Sequence, residues 1–112
     1  MNRGNEFRKR LAEGTAIGGH VFLNDPAITE ALARHGYDFI WIDAEHGPFD
    51  KQNLLMHIKA AKKAKKPVGV SIGPDPKMIE TYKSLGVDFF SCGDDISFLQ
   101  MGAERTISML HK

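Results

Sequence analysis

The chain has 112 residues, 42% hydrophobic and 26% charged, which is the composition of a folded globular domain with enough apolar content for a core. Fifteen Lys and Arg against fourteen Asp and Glu leave a formal charge of +1, which argues against a nucleic-acid binder that relies on a strongly basic surface. The length excludes a complete eight-unit (β/α) barrel, which needs roughly 200 to 250 residues, and no stretch approaches the ~18 consecutive apolar residues of a membrane span.

In chain order, short apolar runs alternate with segments of helical apolar spacing, and Gly, Pro or Asp stands at most junctions. The pattern predicts a leading helix over Phe7 to Glu13, a strand from Ala16 to Leu23 and a helix from Pro26 to His35 closed by Gly36. A second strand follows at Asp38 to Asp43, with a helix from Lys51 to Lys65 that places Leu54, Leu55, Ile58 and Ala61 on one face and stops at Pro67. The third unit is a strand over Val68 to Ile72 and a helix over Pro76 to Leu85. The fourth is a strand over Asp88 to Cys92 and a helix over Ile96 to Leu110. Strands apolar on both faces, alternating with helices, predict an α/β domain of four β/α units around a parallel sheet, in one domain over residues 1–112.

Asp25-Pro26, Glu30, Gly36, Asp38 and Phe39 recur 50 positions later as Asp75-Pro76, Glu80, Gly86, Asp88 and Phe89. Asp caps a helix, Pro fits its first turn and Gly ends it, with Gly36 and Gly86 expected in left-handed conformation. Duplication and convergence on the same stop and start signals both account for the repeat.

The run from Asp38 to Pro48 begins as a buried strand and ends in Asp43, Glu45, His46, Gly47 and Pro48. Ligand sites of parallel α/β folds lie beyond the carboxyl ends of strands, so these residues stand where chemistry is usually placed. Histidine titrates near neutrality and a carboxylate can fix its tautomer, so His46 is a candidate proton carrier; a loop His bonded to a neighbouring acid is the plainer alternative. His20, near the end of the first strand, could reach the same mouth, although the spacing is not a metal signature. Asp25, Asp50, Asp75 and Asp95 read as helix caps, His57 and His111 as surface residues, and Cys92 as a packing residue. Lys59, Lys62, Lys63, Lys65 and Lys66 read as a solvated face at a helix end. One cysteine and no apolar leader point to a reducing cytoplasm.

The run Ile42-Asp43-Ala44-Glu45-His46-Gly47-Pro48 resembles the second-strand motif of the HpcH/HpaI aldolase family, the class II pyruvate aldolases. Phe7, Leu11, Gly14, Gly18, Asp25-Pro26, Glu30, Gly36 and Asp38 follow that family's N-terminal pattern. Lys66 to Val70, Tyr82, Leu85-Gly86, Phe89 and Gly93-Asp94-Asp95 look like its last two barrel units, with the middle of the barrel missing. The resemblance implies half of a TIM-type (β/α)8 barrel, which a second copy could complete. It implies a lyase that cleaves 4-hydroxy-2-oxo acids to pyruvate and an aldehyde with a divalent metal, Mg, Mn or Co. By resemblance His46, Asp43 and Glu45 are catalytic, and His20, Gly93 and Asp95 bind substrate. The family's metal ligands, a Glu and an Asp, and its enolate-stabilising Arg come from the missing middle, so no metal ligand is assigned. If Pro67 to Asp95 matched the third and fourth units instead, the Arg would fall near Gly69 or Ser71, and neither can replace a guanidinium. Weak or absent activity of the chain alone is therefore expected. A non-catalytic structural or regulatory paralogue is the alternative, and a receiver-like or flavodoxin-like module ranks below it.

Overall fold

A computed structural model describes residues 3–44, 49–73 and 75–111. The elements are α1 (Gly4–Glu13), β1 (Gly18–Val21), α2 (Pro26–Ala33), β2 (Phe39–Asp43), α3 (Lys51–Lys63), β3 (Val68–Ile72), α4 (Pro76–Ser84), β4 (Phe89–Cys92) and α5 (Asp95–Leu110). The four strands form one parallel sheet in the order β1-β2-β3-β4, so the expected α/β architecture of four units holds. β1 is shorter than predicted because Ala16, Ile17, Phe22 and Leu23 fall outside the ladder.

The helix starts follow their sequence signals. Asp25, Asp50 and Asp75 each accept a backbone N–H from the first turn that follows, and Pro26 and Pro76 occupy first-turn positions where no N–H is needed. At α5 the cap is Asp94, which accepts from Ser97 N at 2.7 Å. Asp95, expected as the cap, is instead the first helical residue and accepts from Ile96 N. The helix ends depart further. Gly86 is left-handed at φ 103° and terminates α4, with Val87 N donating back to Tyr82 O. Gly36 is not left-handed: α2 stops at Ala33 and Arg34 and His35 close the turn with right-handed bonds to Glu30, Ala31 and Leu32. Just beyond α3, Lys65 is left-handed at φ 59° and Lys66 N reaches back to Ala61 O.

The two sheet faces differ. One carries Val21, Ile40, Ile42, Val68, Val70 and Ile72, all buried against α2 and α3 with Ala33, Leu54, Ile58 and Ala61. On the other, Gly18 pairs with Phe39 and Gly69 with Phe89, and each ring lies where a glycine Cβ would stand, at 2.2 and 2.1 Å. Phe7 of α1 stacks on Phe89 at 4.3 Å and meets Phe39 edge-on at 4.9 Å, closing the amino end of this face with aromatic rings. The 50-residue repeat is thus structural as well. Asp38 accepts from Ile17 N and Arg10, and Asp88 accepts from Val68 N, Lys62 and Arg3 N, each tying a strand start to the preceding strand.

Two surface assignments are corrected. His57 is fully buried, since the spacing that places Leu54, Ile58 and Ala61 inward carries it inward too. Lys62 is paired with the fully buried Asp88 carboxylate, and Lys66 Nζ donates to Tyr37 O at 2.6 Å, so the lysine run is not simply a solvated face. Cys92 is partly buried against the core. Among the described residues no helix is long and apolar enough to cross a membrane.

Candidate functional site

Strand parity and register assemble the carboxyl-end mouth on the aromatic face. Trp41 pairs with His20 and Asp43 with Ser71, while Ser71 pairs with Ser91, so His20, Asp43, Ser71 and Ser91 share that face at its carboxyl end. The face therefore grades from an aromatic floor at Phe7, Phe39 and Phe89 to a polar mouth. His20 Nε2 lies 3.9 Å from Asp43 Oδ2, with the His20 side chain half exposed and that of Asp43 8% exposed. The His20 ring also rests on Phe22, at 4.4 Å between centroids. A buried carboxylate beside an accessible imidazole can orient it.

Of the residues singled out in the sequence, His20 and Asp43 are brought together. Glu45 and His46 lie outside the described residues, as do Gly47 and Pro48. Gly93 is left-handed at φ 78° and turns the chain from β4 into α5; its missing Cβ leaves room for the Phe98 ring. Asp95 is exposed beyond that turn. Gly69, one of the positions considered for an arginine, is overlain by Phe89, and Ser71 is at the mouth. In the sequence Ser71 is singled out only as a position considered for an arginine and Ser91 not at all, although period-two counting from Asp43 across the parallel register places both on this face.

Behind the mouth, His57 fastens the loops that carry it. Its Nδ1 accepts from or donates to Thr29 Oγ1 at 2.6 Å, its Nε2 faces Asn24 Oδ1 at 3.2 Å, and its ring meets Phe49 edge-on at 4.8 Å. Asn24 follows β1, and Phe49 leads into α3. Burial holds the His57 pKa below the ordinary value. Among the described residues no group of three or more His, Cys, Asp or Glu is arranged to hold a metal ion, and His20 with Asp43 falls short of the ligand number a hard divalent cation takes.

No family model matches the chain. It is 36% identical over 84 residues to a hydroxypyruvate/pyruvate aldolase of Paraburkholderia phytofirmans, covering 73% of this chain and 32% of that protein. Over 56 residues it is 41% identical to a 4-hydroxy-2-oxovalerate aldolase of Rhodococcus jostii, covering 49% of this chain and 22% of the relative. Its fold superposes on an HpcH/HpaI aldolase/citrate lyase family protein from Burkholderia cenocepacia with a TM-score of 0.67 and 27% identity, covering 77% of this chain and 35% of the other. The chain matches a fragment of the HpcH/HpaI aldolase family. Its four units are half of the TIM-type barrel of that family, and the chain spans about a third of the length of the aldolase of Paraburkholderia phytofirmans. The polar mouth of the aromatic face stands at the carboxyl ends of the strands, where (β/α) barrels place their sites. Aldolases among the relatives set this chain in a carbon–carbon lyase lineage.

Proposed function

We propose that the chain carries one wall of a pyruvate-aldolase site, with His46 as the acid–base group and Asp43 and Glu45 as its acidic companions. The single observation that supports this most is the His20 to Asp43 approach of 3.9 Å at the mouth, with Asp43 three positions before His46 in the chain. The substrate class is a small 4-hydroxy-2-oxo acid, cleaved to pyruvate and an aldehyde, with Gly93 and Asp95 on the far side of the mouth as substrate contacts. Aldol cleavage needs a proton carrier for the hydroxyl and a cationic group for the developing enolate. His46 supplies the first. The second has no counterpart among the described mouth residues His20, Trp41, Asp43, Ser71 and Ser91, and the described donors do not fit the divalent metal the family resemblance implies. Turnover by the chain alone is therefore weak or absent.

Assembly belongs to the same reading. β1 and β4 are unpaired parallel edges, and a twofold axis along the barrel would set β4 of each copy beside β1 of the other, closing eight strands. His20 would then stand next to the β4 end of the partner.

The test is release of pyruvate from 4-hydroxy-2-oxo acids, followed with Mg²⁺, Mn²⁺ or Co²⁺, with EDTA, and in His46→Ala. The expected result is turnover at or near background, with any excess lost in His46→Ala. Robust turnover that survives EDTA or the His46→Ala change would overturn the proposal.

A further inference from the structure

α2 and α3 pack closely side by side, whereas α4 stands apart from α3. The gap is a groove of about 640 Å³ at the carboxyl ends of β2 and β3, within the size range of small-ligand sites. Phe49, Ile72 and Met78 give it an apolar wall, and Lys51 and Lys77 stand at its rim. Ile72 belongs to the helix-covered face of the sheet, so the groove is separate from the mouth formed by His20 and Asp43.

Tyr82 lines this groove and is only 6% exposed. Among the described residues its hydroxyl has no hydrogen-bond partner, yet no side-chain oxygen there is sealed from solvent without one, so the hydroxyl opens into the groove. Packing alone would be served as well by phenylalanine. Buried tyrosine hydroxyls ordinarily find a partner, and an unpaired one directed at a cavity marks a place where a ligand atom fits. Burial, aided by the nearby Asp50 charge, holds the phenol protonated and able to donate.

The rim carries two acidic and two basic side chains, Asp50, Asp75, Lys51 and Lys77. Asp50 and Asp75 are engaged by the backbone N–H groups of Asn53, Lys77 and Met78, whereas neither the Lys51 nor the Lys77 ammonium has an ion-pair partner among the described residues. The two ammoniums are thus the rim charges left to meet an anionic group, above an apolar wall and a polar atom at depth.

We propose that the groove between α3 and α4 binds a small aryl carboxylate bearing a second polar atom. Its ring would lie against Phe49, Ile72 and Met78, its carboxylate at Lys51 or Lys77, and its distal hydroxyl or carbonyl at the Tyr82 hydroxyl. This site is independent of the aldolase reading.

Two probes test it, 6-hydroxy-2-naphthoate and 2-naphthoate, titrated into the full chain while backbone amide signals are followed by NMR. Both are expected to shift signals around Phe49, Met78 and Tyr82, with the hydroxylated probe binding about three- to tenfold more tightly through one added hydrogen bond. Tyr82→Phe should fold with an unchanged urea midpoint and erase that preference. Lys51→Ala with Lys77→Ala should weaken both probes, the loss being greatest at low salt. Shifts centred on α5 or on the His20 and Trp41 face, no saturation at millimolar probe, or a preference that survives Tyr82→Phe would each overturn the proposal.

Discussion

Lys65 holds a left-handed conformation that costs an L-residue with a Cβ but costs glycine nothing, so Lys65→Gly is expected to stabilise the chain by about 0.5 to 1 kcal/mol. Gly86→Val should destabilise it by about 1 kcal/mol or more, because a β-branched residue resists positive φ, whereas Gly36→Val should change little. Urea midpoints of the three variants read this directly, and equal losses at Gly36 and Gly86 would contradict it. Three titrating groups add a pH signature. Burial lowers the folded pKa of His57 from 6.5, with Asp25 acting weakly in the other direction, so the unfolded chain takes up that proton first. The stability contributed by neutral His57 is full above 6.5 and declines as the pH falls towards the folded pKa. Asp38 is lowered from 3.8 by the Ile17 N–H and then by Arg10, so its contribution is present above 3.8 and lost as the pH falls through its folded pKa. Glu30, lowered by Arg34 and Lys63, joins that acid stage. The midpoint should therefore fall in two stages on acidification, and His57→Gln should remove the first while sparing the second.

Among the elements, the Gly and Phe pairs decide how closely strands and α1 approach. A methyl at Gly69 would meet Phe89 ring atoms at 2.1 Å, so Gly69→Ala must displace the ring that stacks on Phe7. A loss of about 1 to 3 kcal/mol is expected, and adding Phe89→Leu should recover part of it. Strictly additive losses in thermal or urea unfolding would contradict the packing described. These elements were largely legible in the sequence because their signals are local: Asp-Pro at two helix starts and continuous apolar runs in the strands. What was not legible depends on neighbours. His57 reads as polar, but Thr29 and Asn24, 28 and 33 residues away, make it a buried hydrogen-bonding residue. Lys62 reads as solvated until Asp88 is placed beside it. Similarly, Asp43 could be assigned to the mouth from the end of its strand, whereas Ser71 and Ser91 required the register, and Asp94 rather than Asp95 at the cap was a one-residue boundary question.

At the scale of the whole molecule, the four units leave half a barrel's surfaces uncovered. The radius of gyration is 16.0 Å, against about 13 Å for a compact domain of this length, and the longest dimension is 54 Å. α5 exposes Ile96, Phe98, Leu99, Met101, Ile107 and Leu110, and the β1 and β4 edges are open. Apolar surface and unpaired edges on one chain favour association, and a twofold pair is the smallest arrangement in which both edges of each sheet are matched. Light scattering coupled to size exclusion at micromolar concentration tests this most directly. The expected mass is about twice the 12.5 kDa of one chain, whereas a monomer that unfolds in a single cooperative transition would contradict it.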